Sequence, residues 1–544
     1  MAFKLRTNSG RPLHPEVPAL QDQFLKGEID RRDFLRTAAW LGVALGSARA
    51  FTQAIAPTPA QAQAAETPKR GGTIRQATVV QEITDPHAVT WTSATTLTRN
   101  SVEFLTHVDE DNITHPYLAA SWDPSPDLKT WRFKLQPNVK WSNGDAFTAA
   151  DVVANIRRWV APESKSANKT TFKIITDMIV HNPLEFTLVL DRAVLAIPEM
   201  FYAYTCGIMH PKFDEQGGNW SKNPIGTGPY QMTEYAVGQK ATFKAKPDYW
   251  GKKPYLDELR FIDLGAESTA QIAALAAGQV DLVATINTSD IDVVKRLPNV
   301  DLLQVNCAQT ICMRMQVDQK PYDDIRVRQA LVLAADNAKM LEIAYRGLGV
   351  VGENHHVAPF QPEYAKLPPV KRDVAKAKAL LAEAGYKDGV DMELVLGNTQ
   401  GRWEQDTAQI LQQNAAEAGI RIKLKVLPST EFWPIWNKVP FGLTFWAHRP
   451  LAVMTLDLAY RGGAAWNESK FASKDFDVAL DKAMGIVDPK ARAVAMMDVQ
   501  RLLQEAAVMV QPYWSDRFGA SSKKVRGFRL HPATYTSLFN TWMA

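Results

Sequence analysis

The sequence predicts an α/β protein built of at least two packing units, on three observations. The chain has 544 residues, well beyond the size at which a single hydrophobic core stops growing. Some segments alternate strictly, with Trp131, Phe133 and Leu135 on one face and Arg132 and Lys134 on the other, and such segments read as half-buried strands. Elsewhere a helix, a glycine and a strand follow in quick succession, which is the pattern of a sheet covered by helices.

Each element rests on its own signal. Gly71-Gly72 opens an apolar segment, Thr73 to Val80, that predicts a first strand, and Lys129 to Leu135 predicts a second. Thr148, with Asp151 three residues later, forms a capping box for a helix carrying Val152, Val153, Ile156 and Trp159 at helical spacing. A second kind of unit begins after about residue 316. Ile325, Leu331, Leu333 and Ala334 mark a helix, and Asp373 caps another that carries Val374, Leu380 and Leu381 and stops at Gly385. Asp406 starts the next, with Ile410 and Leu411 inside and Gly419 at its end, and Ile420, Ile422, Leu424 and Val426 alternate as a strand at once afterwards. A long helix from about Lys490 to Ala507, an apolar segment Val508 to Trp514 and a last one from Val525 to Leu530 bring the chain back. Beyond an Ala/Pro/Gln linker from Ala54 to Ala65 the sequence has no repeats or low-complexity tracts.

Composition excludes several function classes. Charged residues make up 22% of the chain and hydrophobic ones 46%, a soluble globular profile. The formal charge of +4 comes from 62 Lys and Arg against 58 Asp and Glu. Residues 1–64 hold 8 of the basic and 5 of the acidic groups, which leaves a near-neutral body of 54 against 53 and no electrostatic footprint for nucleic acid.

The first 64 residues read as an address. Arg31-Arg32-Asp33-Phe34-Leu35-Arg36 precedes an apolar run from Thr37 to Gly46, and small-residue cleavage options follow at Ala60-Gln61-Ala62 and Ala62-Gln63-Ala64. Paired arginines directly before an apolar stretch are the twin-arginine form of signal peptide. Arg49 interrupts the apolar stretch after about a dozen residues, short of the roughly 20 that span a bilayer. The mature protein is therefore expected to start near Ala65 and to be soluble in the periplasm. Cys206, Cys307 and Cys312 are too few for a disulfide framework and read as small buried hydrophobes.

Catalytic chemistry is not signalled. HExxH, paired CxxC, P-loop and GxSxG spacings are absent. His355-His356 is the one paired histidine, and adjacent residues on an extended chain point apart, so it reads as a surface loop and not a metal site. Gly226-Thr227-Gly228 has no lysine or helix start after it and reads as a structural turn. No cofactor is expected. What stands out is a group of aromatic residues in the second unit, Trp403, Trp433, Trp436, Phe445 and Trp446, with His448 and Arg449 beside them. Rings bury area at low entropic cost and a few polar anchors set orientation, which is what a small-molecule pocket needs. Arg449 follows the apolar run Phe441 to Ala447, where a strand should end, and its guanidinium must be paired, exposed or aimed at a ligand.

Separate blocks of the sequence resemble a known family across nearly the whole mature chain. The blocks are Pro116–Trp122, Trp131–Leu135 running into Val139–Asp145, and Phe147–Val153, followed by Gly226–Tyr230 and Pro247–Gly251. Leu275–Asp281, Asp324–Ala330 and Leu380–Tyr386 complete the order. The chain resembles the extracytoplasmic solute-binding proteins of ABC importers, in the large peptide, dipeptide and nickel-type class known as family 5. The resemblance implies a two-lobed periplasmic-binding-protein fold of type II, with residues 65–315 and 515–544 in lobe 1, an extra domain near 100–235, and residues 316–514 in lobe 2. It further implies hinge closure around a small-molecule solute and delivery to ABC transporter membrane permease subunits, by a monomer with no catalytic residues. Peptide-binding members carry an Asp-rich segment after a Trp in the second lobe that meets the ligand's amine. Here that stretch reads Trp446-Ala-His-Arg-Pro-Leu451, which favours an acidic or zwitterionic solute over an ordinary peptide held by its amine. Asp457 could meet an amine or neutralise Arg449, and Trp91 and Trp403 match places where the two lobes contribute to the cleft. A secreted enzyme, or a peptide chaperone or chemoreceptor partner, remains the alternative.

Overall fold

The computed structural model describes residues 4–55, 66–89, 91, 94–166 and 168–544. The cleavage options at 60–64 lie outside the described residues. The chain divides into unit 1, Met1–Val305 with Gly485–Pro489 and Phe518–Ala544, and unit 2, Asn306–Met484 with Lys490–Arg517. Two of the crossings fall inside strands, Val300–Met315 and Tyr513–Ser522. The first crossing lies between Val305 and Asn306, inside a strand that ends at Met315, and so comes upstream of the position near 316 expected from the sequence.

In unit 1, Gly71 and Gly72 both hold positive φ and lead into the strand Thr73–Thr78. This strand pairs in parallel with Glu258–Asp263 and Leu282–Val283. Lys240–Ala245 and Tyr230–Ala236 extend the sheet antiparallel. Ile74, Trp220, Phe243, Leu259 and Leu282 form the core beneath it, and Trp91 packs partly buried against that core. A separate antiparallel sheet takes Ala119–Pro124, Thr130–Leu135, Glu185–Leu190 and Ile175–Asn182 in that order. The alternation read at 129–135 faces Trp131, Phe133 and Leu135 inward, with Phe133 stacked on Phe186 at 5.2 Å. The helix Ala149–Val160 covers this sheet through Val152, Val153, Ile156 and Trp159. Its start is fixed by Asp151, which accepts the Thr148 N–H at 2.9 Å and the Trp141 indole N–H at 3.1 Å.

The segment read as an address folds into three helices, Val17–Leu25, Arg31–Trp40 and Leu45–Ile55, within unit 1. Among the described residues no helix is long and apolar enough to cross a membrane.

Unit 2 is built on the parallel strands Val390–Leu396 and Ile420–Val426, with Phe441–Trp446 parallel to the first of them and antiparallel to Val300–Met315. Helices Ile325–Ala334, Val374–Glu383 and Trp403–Ala416 belong to this unit. Asp324 and Asp373 cap the first two by accepting the N–H groups of Arg326 and Lys376. Gly385 and Gly419 end their helices in the left-handed conformation. The third helix starts at Trp403 and not at Asp406, which lies inside the first turn and pairs with Arg402 at 3.3 Å. The earlier start comes from Glu404, whose buried carboxyl oxygen accepts the Thr399 N–H at 2.6 Å and closes the preceding turn. All three cysteines are buried and free.

Candidate functional site

The strand Phe441–Trp446 sets the site. Its register against Val300–Met315 places Trp446 opposite Thr310 and Thr444 opposite Cys312. Trp446 is buried, with its indole N–H donated to Glu468 Oε1 at 2.8 Å. The other oxygen of Glu468 accepts Arg314 Nε at 2.6 Å and the Thr444 hydroxyl at 2.7 Å. Arg314 also donates to the carbonyls of Val439, at 2.9 Å, and Trp436. A single buried ion pair thus braces both the strand end and the loop that presents Trp433 and Trp436.

Around Trp446 the rings form a chain. Trp436 lies 6.5 Å away and Trp466 6.0 Å, these two meet edge to face at 5.8 Å, and Trp433 touches Trp436 at 6.3 Å. The Arg449 guanidinium rests 5.5 Å from the Trp446 ring centre and 6.0 Å from that of Trp466, within the range at which a ring face attracts a cation. The Arg449 carbonyl accepts Gln361 Nε2 at 2.9 Å, which anchors the loop. His448 is buried and its Nδ1 accepts the Ala308 N–H at 2.8 Å, so in the neutral ring the proton sits on Nε2.

Asp457 is buried on the helix Ala452–Ala459, where it accepts Arg461 Nε at 2.5 Å. Arg461 in turn donates to Asp481 at 2.6 Å. Trp403 belongs to a different ring group, with Tyr345 at 5.0 Å and Tyr513 at 6.3 Å. Trp91 is in unit 1.

His355-His356 is not a surface loop. Both rings are buried, because the residues between Glu353 and Val357 turn inward and Asn354 and His356 adopt positive φ. His356 stands edge-on to Trp446 at 5.5 Å and its Nδ1 is 2.7 Å from the Tyr460 hydroxyl. Burial above all, and then the Arg449 charge, pushes its pKa down to about 3, so the ring stays neutral at physiological pH. His355 Nε2 lies 3.2 Å from Glu353. Among the described residues no group of His, Cys, Asp and Glu could hold a metal ion.

The glycine-rich stretches are structural. A Cβ on Gly226 would lie 1.9 Å from the Ser101 carbonyl oxygen, and one on Gly228 2.8 Å from that of Asn100. Sequence reading passed over Gly347-Leu-Gly-Val-Val-Gly352, which has the spacing of a dinucleotide fingerprint, but its centre is the strand Gly349–Val351, antiparallel to Tyr513–Ser515, with no helix opening after it. Sequence reading missed Trp466, Glu468 and Gln361. Trp466 and Glu468 lie on an irregular segment between two helices, where periodicity carries no signal.

The family of bacterial extracellular solute-binding proteins, family 5, matches residues 114–481 of this chain. The dipeptide-binding protein of Escherichia coli K12 is 26% identical over 485 residues, covering 81% of this chain and 89% of its own length. The heme-binding protein A of Haemophilus influenzae is 25% identical over 459 residues, covering 78% and 83%. In fold the chain is similar to the periplasmic binding protein DppA of Helicobacter pylori, solved with the peptide STSA, at a TM-score of 0.78 and 21% identity over 87% of this chain and 98% of that one. These are transport binding proteins and not enzymes, so the secreted-enzyme alternative falls away. The chain belongs to the family 5 bacterial extracellular solute-binding proteins, the periplasmic solute-capturing components of ABC importers.

Proposed function

We propose that this protein captures a small acidic or zwitterionic solute, including peptide-like ones, with Arg449 as the anchor for its acidic group. The observation that carries the reading is the Arg449 guanidinium set against two indole faces at the end of a strand. A planar fork suits the paired oxygens of a carboxylate or phosphate. Trp433, Trp436 and Trp466 supply ring wall, and Trp446 and His448 fix the loop from which Arg449 extends. Asp457 supports the adjoining helix through Arg461, and Trp403 and Trp91 are secondary candidates for ligand contact. A dipeptide-binding relative is compatible with this, since a dipeptide also carries a carboxylate. In this reading the protein is exported by the twin-arginine route, on the pattern at Arg31-Arg32, and works in the periplasm as a monomer that hands its solute to membrane permease subunits.

Native mass spectrometry of protein purified from the periplasm tests the solute class. The expected result is a discrete adduct, lost on denaturation, whose mass fits an acidic formula and which Arg449→Ala no longer retains. An adduct without an acidic group, retained equally by Arg449→Ala, overturns the reading. Where no adduct survives purification, a thermal-shift screen of carboxylates, phosphates and dipeptides against both proteins gives the same comparison.

A further inference from the structure

In unit 1, residues 4–55 are seated in a surface shaped for them. Trp40 is 1% exposed, and its indole N–H donates to Glu199 Oε2 at 2.7 Å. The Thr114 hydroxyl donates to the same oxygen at 2.8 Å. In the opposite direction, the indole N–H of Trp122 donates to the Ala39 and Trp40 carbonyls at the C-terminal end of the helix, at 3.0 and 3.1 Å. Arg36, 2% exposed, donates from Nε to the Asn112 carbonyl at 3.0 Å. Gly42 follows at φ +78°, and a Cβ there would lie 2.3 Å from the Trp122 carbonyl oxygen, so only glycine fits. At the near end Ser9 donates to Asp123 at 2.5 Å, and Arg11 pairs with Asp123 at 3.6 Å and Glu185 at 3.3 Å. The three helices share a core of their own, with Phe24, Phe34 and Phe51 at centroid distances of 5.1 to 6.0 Å.

We propose that the face of unit 1 bearing Asn112, Thr114, Trp122 and Glu199 is a receptor for the chain's own residues 4–55, and holds the twin-arginine segment docked in the folded precursor. Buried indoles that exchange hydrogen bonds across a boundary are the marks of a specific interface, because each would cost free energy if left without its partner. Docking splits the export pattern in two. Arg32 stays exposed, whereas Phe34, Leu35 and the run through Val43 face inward. A component that reads Arg32 meets it on the docked form, while Arg31 is half-buried and donates to Gln53 Oε1 at 3.3 Å, and one that needs the apolar run requires the segment to detach. The contacts carry this independently of which solute unit 2 binds.

The test keeps the full chain. A protease site is placed within residues 56–65, the protein is folded intact and then cut, and the fragments are run on gel filtration at about 1 μM. The N-terminal fragment is expected to elute with the body, and Trp40→Ala or Gly42→Val to weaken that retention at least about tenfold. Separation of the wild-type fragment at this concentration overturns the proposal. Hydrogen exchange on the uncut wild type decides it without any substitution. Protection of the Trp40 and Trp122 indole N–H protons, whose acceptors lie across the boundary, supports docking, and exchange at free-indole rates refutes it.

Discussion

Glu468→Ala is the sharpest test of how the aromatic site is held. The Glu468 and Arg314 side chains are 4% and 2% exposed, with Nε and Oε2 at 2.6 Å. Removing the carboxylate leaves a buried guanidinium with only the Val439 and Trp436 carbonyls as acceptors, which costs about 3–5 kcal/mol. The Trp446 indole and the Thr444 hydroxyl lose their acceptor at the same time, and a stranded buried donor costs about 1–3 kcal/mol. These costs share one network and do not add, so about 4–6 kcal/mol is expected for the single change. Glu468→Gln keeps an oxygen for the indole and should lose about half as much. Arg314→Met combined with Glu468→Leu removes both charges and should be less destabilised than Glu468→Ala alone. Urea denaturation followed by tryptophan fluorescence reads the differences, since Trp446 and its neighbours lie within the perturbed region. A loss below about 1 kcal/mol for Glu468→Ala, or a double variant as unstable as the two single changes summed, would refute the account of this pair as a brace.

Three further outcomes follow from the geometry. Arg449→Ala should weaken solute binding at least about tenfold, roughly 1.4 kcal/mol, while losing no more than about 1–2 kcal/mol of stability from two ring contacts, as read by isothermal titration beside thermal melts. Burial raises the Glu404 pKa from 4.5 to about 8. The folded state therefore binds more protons than the unfolded one across that window, and stability falls as pH rises through it. Melting temperatures taken from pH 5 to pH 8 should show Glu404→Gln gaining on the wild type, and parallel curves would exclude the effect. Gly226→Ala should destabilise by about 3 kcal/mol or more, because the new methyl meets the backbone of Ser101 and not a side chain that can move, and an unchanged urea midpoint would count against that packing.

Much of the framework was legible because local signals agreed with tertiary packing. The capping box at Thr148 and Asp151, the alternation ending at Leu135 and the glycine stops at 385 and 419 all depend on residues within a few positions of one another. The start of the helix at Trp403 was not legible, since it depends on the Glu404 carboxyl closing a turn onto Thr399 from inside the helix, a contact that helical spacing does not signal. His355-His356 misled for a related reason. Adjacent residues on an extended chain point apart, which suggested a surface loop, while left-handed residues at 354 and 356 turn both rings inward. In the aromatic group, composition identified Trp433, Trp436, Trp446 and Arg449, but not Trp466 or Glu468, which reach Trp446 from an irregular segment 20 or more residues further along the chain. The pairing of Asp457 with Arg461 was readable as a helical i,i+4 spacing once the helix Ala452–Ala459 was known. The fold of residues 4–55 was hidden behind a pattern whose usual meaning is an address, although Phe24, Phe34 and Phe51 were all in view.

The buried thiols make the protein a reporter of its own opening. Burial raises the pKa of Cys206, Cys307 and Cys312 alike, so the reactive thiolate is scarce in the native state and a disulfide reagent gains access only when the surrounding structure opens. Cys206 lies in unit 1, and Cys307 and Cys312 lie in unit 2. The order in which the three are modified, read by peptide mass, therefore ranks the opening of the two units in one unaltered sample. A cysteine introduced on the surface for a fluorescent dye would be labelled against almost no background.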